Sequence, residues 1–302
     1  MPPSINHPVI FGEVLFDVFQ NDKRVLGGAP FNIAWHLQGF GSNPLLVSRL
    51  GEDEDGKQIL ATMENWQMET RMIQRDSDFA TGAAQVTLNR EGLPQFNIPY
   101  NQAYDRINAH QAISGLFNLS CTLLYHGTLA LRHGISREAL QKLMGILKLP
   151  VFLDINLRTP WWDKALLRDV LQTATWLKVN EDELAIIEPN ITNENKENIL
   201  ENLCKRYNLS MVVVTLGDKG ALLKIPDQPL FFKTTPTVSI VDTVGAGDAF
   251  SAVLIYGLLQ QWQPNVMLKR AIDFAAEVCQ IPGATTLDKR LYYTTLSRWQ
   301  SD

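Results

Sequence analysis

Short apolar runs alternate with longer amphipathic stretches along most of this chain. Leu45 to Val47, Thr122 to His126, Val151 to Leu153, Trp176 to Val179 and Met211 to Thr215 read as buried strands. Between them, Ser136 to Leu147, Lys164 to Thr173 and Glu194 to Tyr207 carry apolar residues at helical spacing. Strands that alternate with helices predict an α/β fold with a mostly parallel sheet covered on both faces. Two stretches break this rhythm. Val14 to Leu26 reads as strand, polar turn (Asn21-Asp22-Lys23), strand, and Ala80 to Ile98 repeats the pattern around Arg90-Glu91-Gly92. Paired, the two hairpins would form a small sheet over the carboxyl ends of the main strands, where open α/β folds bind ligands. The expectation is a single domain over residues 1–302 with a discontinuous β-lid from about 13–27 and 80–103. Two unrelated surface hairpins are the plainer alternative.

Composition narrows the class only broadly. A 302-residue chain with 45% hydrophobic and 20% charged residues is an ordinary globular protein. Its net charge of -5 gives no electrostatic reason to expect nucleic acid. Apolar stretches such as Ala252 to Leu259 are too short to span a bilayer, and the Met1-Pro2-Pro3-Ser4 start lacks the regions of a signal peptide. Cys121, Cys204 and Cys279 are widely spaced and form no CxxC pair, which suits free thiols in a reducing cytoplasm. The five histidines show no metal spacing; His36 and His126 read as packed or capping residues.

The richest run is Val241-Asp242-Thr243-Val244-Gly245-Ala246-Gly247-Asp248-Ala249-Phe250. It joins a β-branched, strand-like segment (Val238 to Val241) to an apolar helix pattern (Ala249 to Leu259). The turn at Gly245 and Gly247 would present backbone N–H groups at a helix N-terminus, a ready anion site. A carboxylate there suits a general base: Asp248 would take a proton from a hydroxyl while Gly245, Ala246 and Gly247 hold the charge on a transferred phosphoryl group. The second run, Gly27-Gly28-Ala29-Pro30-Phe31-Asn32, sets glycines before a proline-started helix. Asn32 would project near the helix start, where its amide both donates and accepts, as a sugar requires; a helix cap is the simpler reading. Asp154, Asn156 and Arg158 follow a buried strand at alternate positions. A guanidinium there could clamp a phosphate or substrate oxygen, or pair with Asp154. Trp161-Trp162 could stack on a sugar or pack in the core. No G-x-x-x-x-G-K-[ST] loop occurs, and the Gly245 turn does not match the dinucleotide-binding G-x-G-x-x-G.

Taken together, the two runs resemble the signatures of the ribokinase-like (PfkB) carbohydrate kinases. Gly27, Gly28, Pro30, Asn32, Ala34, Gly41 and Gly51 stand at the spacing of the first signature, and Gly51-Glu52-Asp53-Glu54-Asp55-Gly56 fits its G-x-D-x-x-G. Asp242 to Asp248 matches the second, which departs only at Val253, where a small residue is usual. The resemblance runs from about Gly12 to Ala284. Within the family, Gly12-Glu13-Val14-Leu15-Phe16-Asp17 and Ala29 resemble fructokinase-type members, and the D-x-N-x-R segment resembles that of fructokinase and 2-keto-3-deoxygluconate kinase relatives.

The resemblance implies a ribokinase-like three-layer α/β/α sandwich with a β-sheet lid, and an ATP-dependent sugar kinase. Asp17, Gly28, Asn32 and Arg158 would bind the sugar. Thr215, Gly217, Gly220 and Asn180 would bind the nucleotide, with Ile281-Pro282-Gly283-Ala284 flanking adenine. Glu183 would act on Mg2+ through water, and Asp242 and Thr243 would lie beside a monovalent cation such as K+. Kinases for 2-keto-3-deoxygluconate, ribose or a nucleoside, and a non-catalytic binding regulator on the same fold, stay open alternatives. Lid strands could also pair two copies into a homodimer, or be covered within one chain.

Overall fold

The computed structural model describes residues 6–20, 23–88, 94–192 and 195–301. The chain runs β1 (His7–Phe11), β2 (Leu15–Phe19), β3 (Arg24–Gly27), α1 (Ala29–Gly39), β4 (Leu45–Gly51), α2 (Glu54–Asn65), β5 (Ile73–Asp76), β6 (Gly82–Leu88), β7 (Pro94–Asn97), α3 (Ala109–Leu116), β8 (Cys121–His126) and α4 (Gly134–Leu147). It continues through β9 (Val151–Asp154), α5 (Lys164–Thr173), β10 (Trp176–Asn180), α6 (Glu181–Ile187), α7 (Lys196–Tyr207), β11 (Met211–Thr215), β12 (Ala221–Lys224), β13 (Phe231–Lys233), α8 (Ala246–Leu259), α9 (Pro264–Val278) and α10 (Lys289–Ser301).

The large sheet has the order β13-β12-β11-β10-β9-β8-β1-β4-β5. From β11 to β5 every pairing is parallel, and only β12 and β13 add an antiparallel edge. Period-2 side chains split its core into two layers. Ile10, Leu46, Tyr125, Phe152 and Val213 face α1, α8 and α9; Val9, Val47, Leu124, Leu153 and Val212 face α3, α4, α5 and α7. Local chemistry fixes the helix starts. Asp163 caps α5 through the Leu166 N–H (2.7 Å), and Pro30 opens α1.

The strand order reverses between β1 and β8: the chain winds outward to β4 and β5 on one side and to β9, β10 and β11 on the other. Such a switch point leaves a crevice at the carboxyl ends of the two strands. The hairpins of the sequence reading meet in a second, four-stranded sheet, β3-β2-β6-β7, joined by parallel pairing of β2 with β6. Asp53 anchors its entry. Besides capping α2 at Gly56, it accepts from the Thr81 N–H (2.8 Å) and hydroxyl (2.6 Å) just before β6.

Three expectations change. Val238 to Val241 is not a strand: it is irregular, and Ile240 is 64% exposed. Its β-branched residues find no ladder, and Val241 N–H goes to the Cys279 carbonyl (2.8 Å). The helix after the glycine turn begins at Ala246, three residues earlier than its apolar pattern. The alternation Asp154-Asn156-Arg158 fails because β9 ends at Asp154 and Asn156 adopts a left-handed φ of 40°. Of the expected turns, Asn21-Asp22 and Arg90-Glu91-Gly92 lie outside the described residues, as does Glu194.

Candidate active site

At the head of α8, Gly245 takes φ 78°, and a Cβ there would overlap Ala284. Only glycine satisfies both the left-handed backbone and the close approach. Asp242 fixes the turn, accepting from Val244 N–H (3.0 Å) and from Gly283 N–H (3.0 Å). Its carboxylate is thereby occupied by backbone donors. Ala246 N–H reaches the Thr243 carbonyl (3.3 Å), so Gly247 and Asp248 supply the amides of the first helical turn that have no carbonyl four residues back in the helix.

Asp248 is half-buried and accepts a hydrogen bond from Asn32 Nδ2 (2.7 Å), which locks α8 to α1. Burial raises its pKa above the ordinary aspartate value. The Asn32 bond, Lys178 and Arg158 pull the other way, and Asp154 adds to the rise. A carboxylate held this way is a better proton acceptor than a solvated one.

Below the turn lies an ionic cluster that the sequence reading missed in part. Lys178, 7% exposed, reaches Asp154 Oδ2 (3.0 Å) and Oδ1 (3.2 Å), and Ser251 donates to Asp154 Oδ2 (2.8 Å). The ammonium lies within 3.5 Å of where a Cβ on Gly247 would stand. Burial opposes its charge, but Asp154, Glu183 and Asp248 outweigh that and hold its pKa above the usual lysine value. Asp154 is therefore bonded to Lys178. Arg158, which the sequence offered as its partner, is exposed and touches the Leu157 carbonyl (3.2 Å). The one available signal for Lys178 was a lone charge inside an apolar strand.

Glu183 is buried and forms a capping box with Asn180: Asn180 Oδ1 accepts from Glu183 N–H (2.8 Å), and Glu183 Oε2 from Asn180 N–H (2.9 Å). Its Oε1 accepts from Leu157 N–H (2.9 Å) and so pins the segment leading to Arg158. Burial raises its pKa, Asp154 adds to this, and Lys178 opposes it. Among the described residues no three His, Cys, Asp or Glu side chains are grouped to hold a metal ion. Asp154 and Glu183 set two carboxylates against the single Lys178 ammonium. That balance fits a hydrated cation that keeps most of its waters and arrives with a phosphate ligand.

On the other side of Asp248, Gly28 caps α1 with φ 103°, and a Cβ there would stand 2.8 Å from the Glu13 carbonyl. Asp17 is half-buried on β2, with its Oδ2 3.4 Å from where a Cβ on Gly27 would stand. Burial lifts its pKa to about 6, with Arg158 lowering it and Asp248 raising it. Glu13, absent from the sequence-based site, follows β1 at 4% exposure, and burial lifts its pKa to about 7.

A cavity of about 600 Å3 opens beside the turn. It gathers Asn180, Thr215, Gly217, Gly220, Thr243, Ala246 and Gly247 against an apolar wall that includes Val238, Ile240, Phe250, Ile272, Ala276 and Cys279. The four residues that the sequence assigned to a nucleotide thus share one cavity with the glycine turn. Glu183 is not among its lining residues.

Residues 10–290 match the model of the pfkB family carbohydrate kinases. The chain belongs to that family. This pfkB family chain is 28% identical over 306 residues to Fructokinase-1 of Oryza sativa subsp. japonica, covering 93% of the chain and 92% of the relative. It is 27% identical over 290 residues to the fructokinase of Klebsiella pneumoniae, covering 89% and 90%. Among solved structures, the fructokinase from Xylella fastidiosa with bound ATP superposes with a TM-score of 0.84 at 20% identity, covering 98% of this chain and 99% of that one. A double mutant of the fructokinase from Vibrio cholerae O395, in a form with fructose, ADP and potassium ion bound, gives 0.80 at 24% identity, covering 96% and 98%. These neighbours share the overall fold. The family membership and the fructokinase relatives make this chain an ATP-dependent sugar kinase. Among the described residues no helix is long and apolar enough to cross a membrane, and Cys121, Cys204 and Cys279 are free thiols.

Proposed function

We propose that this pfkB family kinase is fructokinase-like: it moves the γ-phosphoryl group of ATP to a hydroxyl of a ketohexose, with fructose the first candidate. The observation that carries the reading is the Asn32–Asp248 bond of 2.7 Å. It holds a carboxylate at the head of α8, tied to α1 and next in the chain to Gly247, which lines the cavity. The acceptor lies against Asp17, Gly28 and Asn32 under the small sheet of 13–27 and 80–103, with Arg158 on a sugar or phosphate oxygen. ATP fills the cavity, adenine against the apolar wall near Ile281 to Ala284 and phosphates along Thr215, Gly217, Gly220 and the turn.

In the transfer, the acceptor oxygen forms a bond to the γ-phosphorus and gives its proton to Asp248. The bond between that phosphorus and the β–γ bridging oxygen breaks, and ADP leaves with the electron pair. An aspartate suffices as base because the hydroxyl becomes acidic only as it attacks. The amides of Gly247 and Asp248, with Gly245 and Ala246 shaping the turn, receive the transferred charge. Mg2+, when bound with the nucleotide, would neutralise phosphate charge; Glu183 and Asn180 would hold it through water. A K+ ion beside Asp242 and Thr243 would steady the turn. Closure of the small sheet excludes water, which would otherwise compete as acceptor. The same reading places the enzyme in the cytoplasm and lets free edges of the small sheet join two copies.

A coupled ADP-release assay with fructose, tagatose, ribose, 2-keto-3-deoxygluconate and adenosine tests this. We expect fructose to give the highest kcat/KM. ATP binding with no sugar-dependent ADP release would overturn the proposal in favour of a non-catalytic binding protein.

A further inference from the structure

The Gly245 turn is held from behind as well as from within. Residues 283–286 form an irregular strap between α9 and α10. Gly283 N–H donates to Asp242 Oδ2 (3.0 Å), the carboxylate that fixes the turn. Ala284 stands so near Gly245 that a Cβ there would lie 2.3 Å from the Ala284 Cβ. The strap therefore backs both the first residue of the turn and its left-handed glycine.

The strap is in turn tied to α1. Trp35 Nε1 donates to the Thr286 carbonyl (3.0 Å), and His36 Nε2 lies 3.1 Å from the Ala284 carbonyl. His36 Nδ1 lies 2.9 Å from the Tyr292 hydroxyl of α10. His36, Ala284 and Tyr292 are all buried. These partners fix the tautomer. A carbonyl only accepts, so Nε2 carries the proton, and Nδ1 accepts from the phenol. Burial pushes the His36 pKa down to about 3, so the ring stays neutral near neutral pH. One helical turn earlier, on the same face of α1, Asn32 holds Asp248 (2.7 Å). α1 thus grips the site twice: Asn32 holds the first turn of α8, and His36 holds the strap against which Gly245 packs.

We propose that His36 is a positioning residue for the Gly245 turn: its Nε2–H holds Ala284 against Gly245 and so fixes where the amides of Gly247 and Asp248 point. This rests on the reading of that turn as the phosphate cradle. His36 is absent from the lining of the nucleotide cavity and acts through Ala284. A histidine that merely fills space needs no partners. Here both ring nitrogens are engaged, and an apolar side chain of similar size would leave the Ala284 carbonyl and the Tyr292 hydroxyl buried and unpaired.

The test compares His36→Leu, which removes both bonds, with His36→Gln, which keeps an N–H for the Ala284 carbonyl. Amide exchange is read at Gly283, which donates to Asp242, and at Ala249, which donates to the Gly245 carbonyl (2.8 Å). In ligand-free His36→Leu both should exchange at least about tenfold faster, with α5 unchanged, and His36→Gln should restore them to within about threefold. Calorimetry should find ATP binding about tenfold weaker in His36→Leu, largely recovered in His36→Gln, and fructose binding within about threefold in both. Unchanged exchange at the two amides overturns the proposal, as does a glutamine variant no better than leucine. Gly245→Ala is the control for the underlying reading. If it weakens ATP binding while His36→Leu does not, the proposal falls. If neither weakens it, the phosphate role of the turn falls instead, and the exchange rates alone decide whether His36 positions the turn. Should His36→Leu not fold, imidazole NMR of the unaltered chain still decides: the His36 proton should sit on Nε2, and a proton on Nδ1 overturns the proposal.

Discussion

The two sides of the Gly245 turn are built from different materials. The side proposed for the acceptor is made of side chains: Glu13, Asp17, Asn32 and Asp248, three of them acids whose charge burial opposes. The side proposed for the nucleotide relies more on backbone shape. Gly217, Gly220, Gly245 and Gly283 all adopt left-handed φ values; Gly217 and Gly220 line the cavity beside Asn180, Thr215, Thr243 and an apolar wall. On the proposed reading the contrast follows from the two ligands. A triphosphate is recognised by amides and a helix terminus, which need a backbone path and no particular side chain. A sugar is told from its isomers by where its hydroxyls point, which needs individual donors and acceptors. Substitutions on one side should therefore change chemistry, and on the other should change geometry.

The largest effect should come from Asp248→Asn. The amide keeps the size of the carboxylate but cannot take the proton. We expect kcat to fall by roughly 10²–10⁴, the usual worth of acid–base assistance, while sugar and ATP affinities stay within about threefold. Single-turnover rates beside calorimetric binding separate the two quantities. Near-normal turnover would remove the proton-acceptor role.

Next comes the backbone side. Gly245→Ala meets both the left-handed strain and the overlap with Ala284. Strain alone costs about 1–2 kcal/mol, so ATP affinity should fall at least about tenfold, with fructose affinity little changed. Gly217 shares the left-handed φ (62°), but a Cβ there meets nothing within 4 Å. Gly217→Ala should therefore show only the strain, and its loss of ATP affinity should be the smaller of the two. Equal losses would mean that the Ala284 contact does not matter to the nucleotide.

Legibility in the sequence divides along the same line. Local chemistry was readable: Lys164–Thr173 forms α5 and Met211–Thr215 forms β11 at the expected bounds. The glycine turn and Asn32 sit where their runs placed them because backbone conformation and helix starts are local properties. What escaped was set by distance in the chain. Lys178 meets Asp154 across two neighbouring strands, and Ser251 joins them from α8, 97 residues beyond Asp154. No short-range pattern announces such a cluster. Val238 to Val241 misled for a related reason: β-branched residues make a strand only beside a partner strand, and here Val238 and Ile240 instead line the cavity beside the Gly245 turn. Glu13 stood inside a recognised motif, yet that its buried Oε2 lacks a hydrogen-bond partner is visible only once the fold surrounds it.

The smallest effect is a near-cancellation between acids and histidines. Burial holds Glu13 at about 7 and Asp17 at about 6, and it pushes His36 down to about 3 and His126 to about 4. Between about pH 4.5 and 6.5 the folded chain keeps protons on the two acids that the unfolded chain has released, so this pair lowers stability as pH rises. Over the same range the unfolded chain protonates the two histidines and the folded chain does not, so they raise stability as pH rises. The opposing terms are two protons each. Urea unfolding should therefore find these four groups changing stability by less than about 1 kcal/mol between pH 5 and 6.5. Removing the acids exposes the other term. In the double variant Glu13→Gln, Asp17→Asn, stability should fall on acidification by roughly 2–3 kcal/mol per pH unit near pH 5.5, two protons at about 1.4 kcal/mol each. A double variant whose slope is no steeper than that of the unaltered chain would mean that Glu13 and Asp17 are not held protonated by burial.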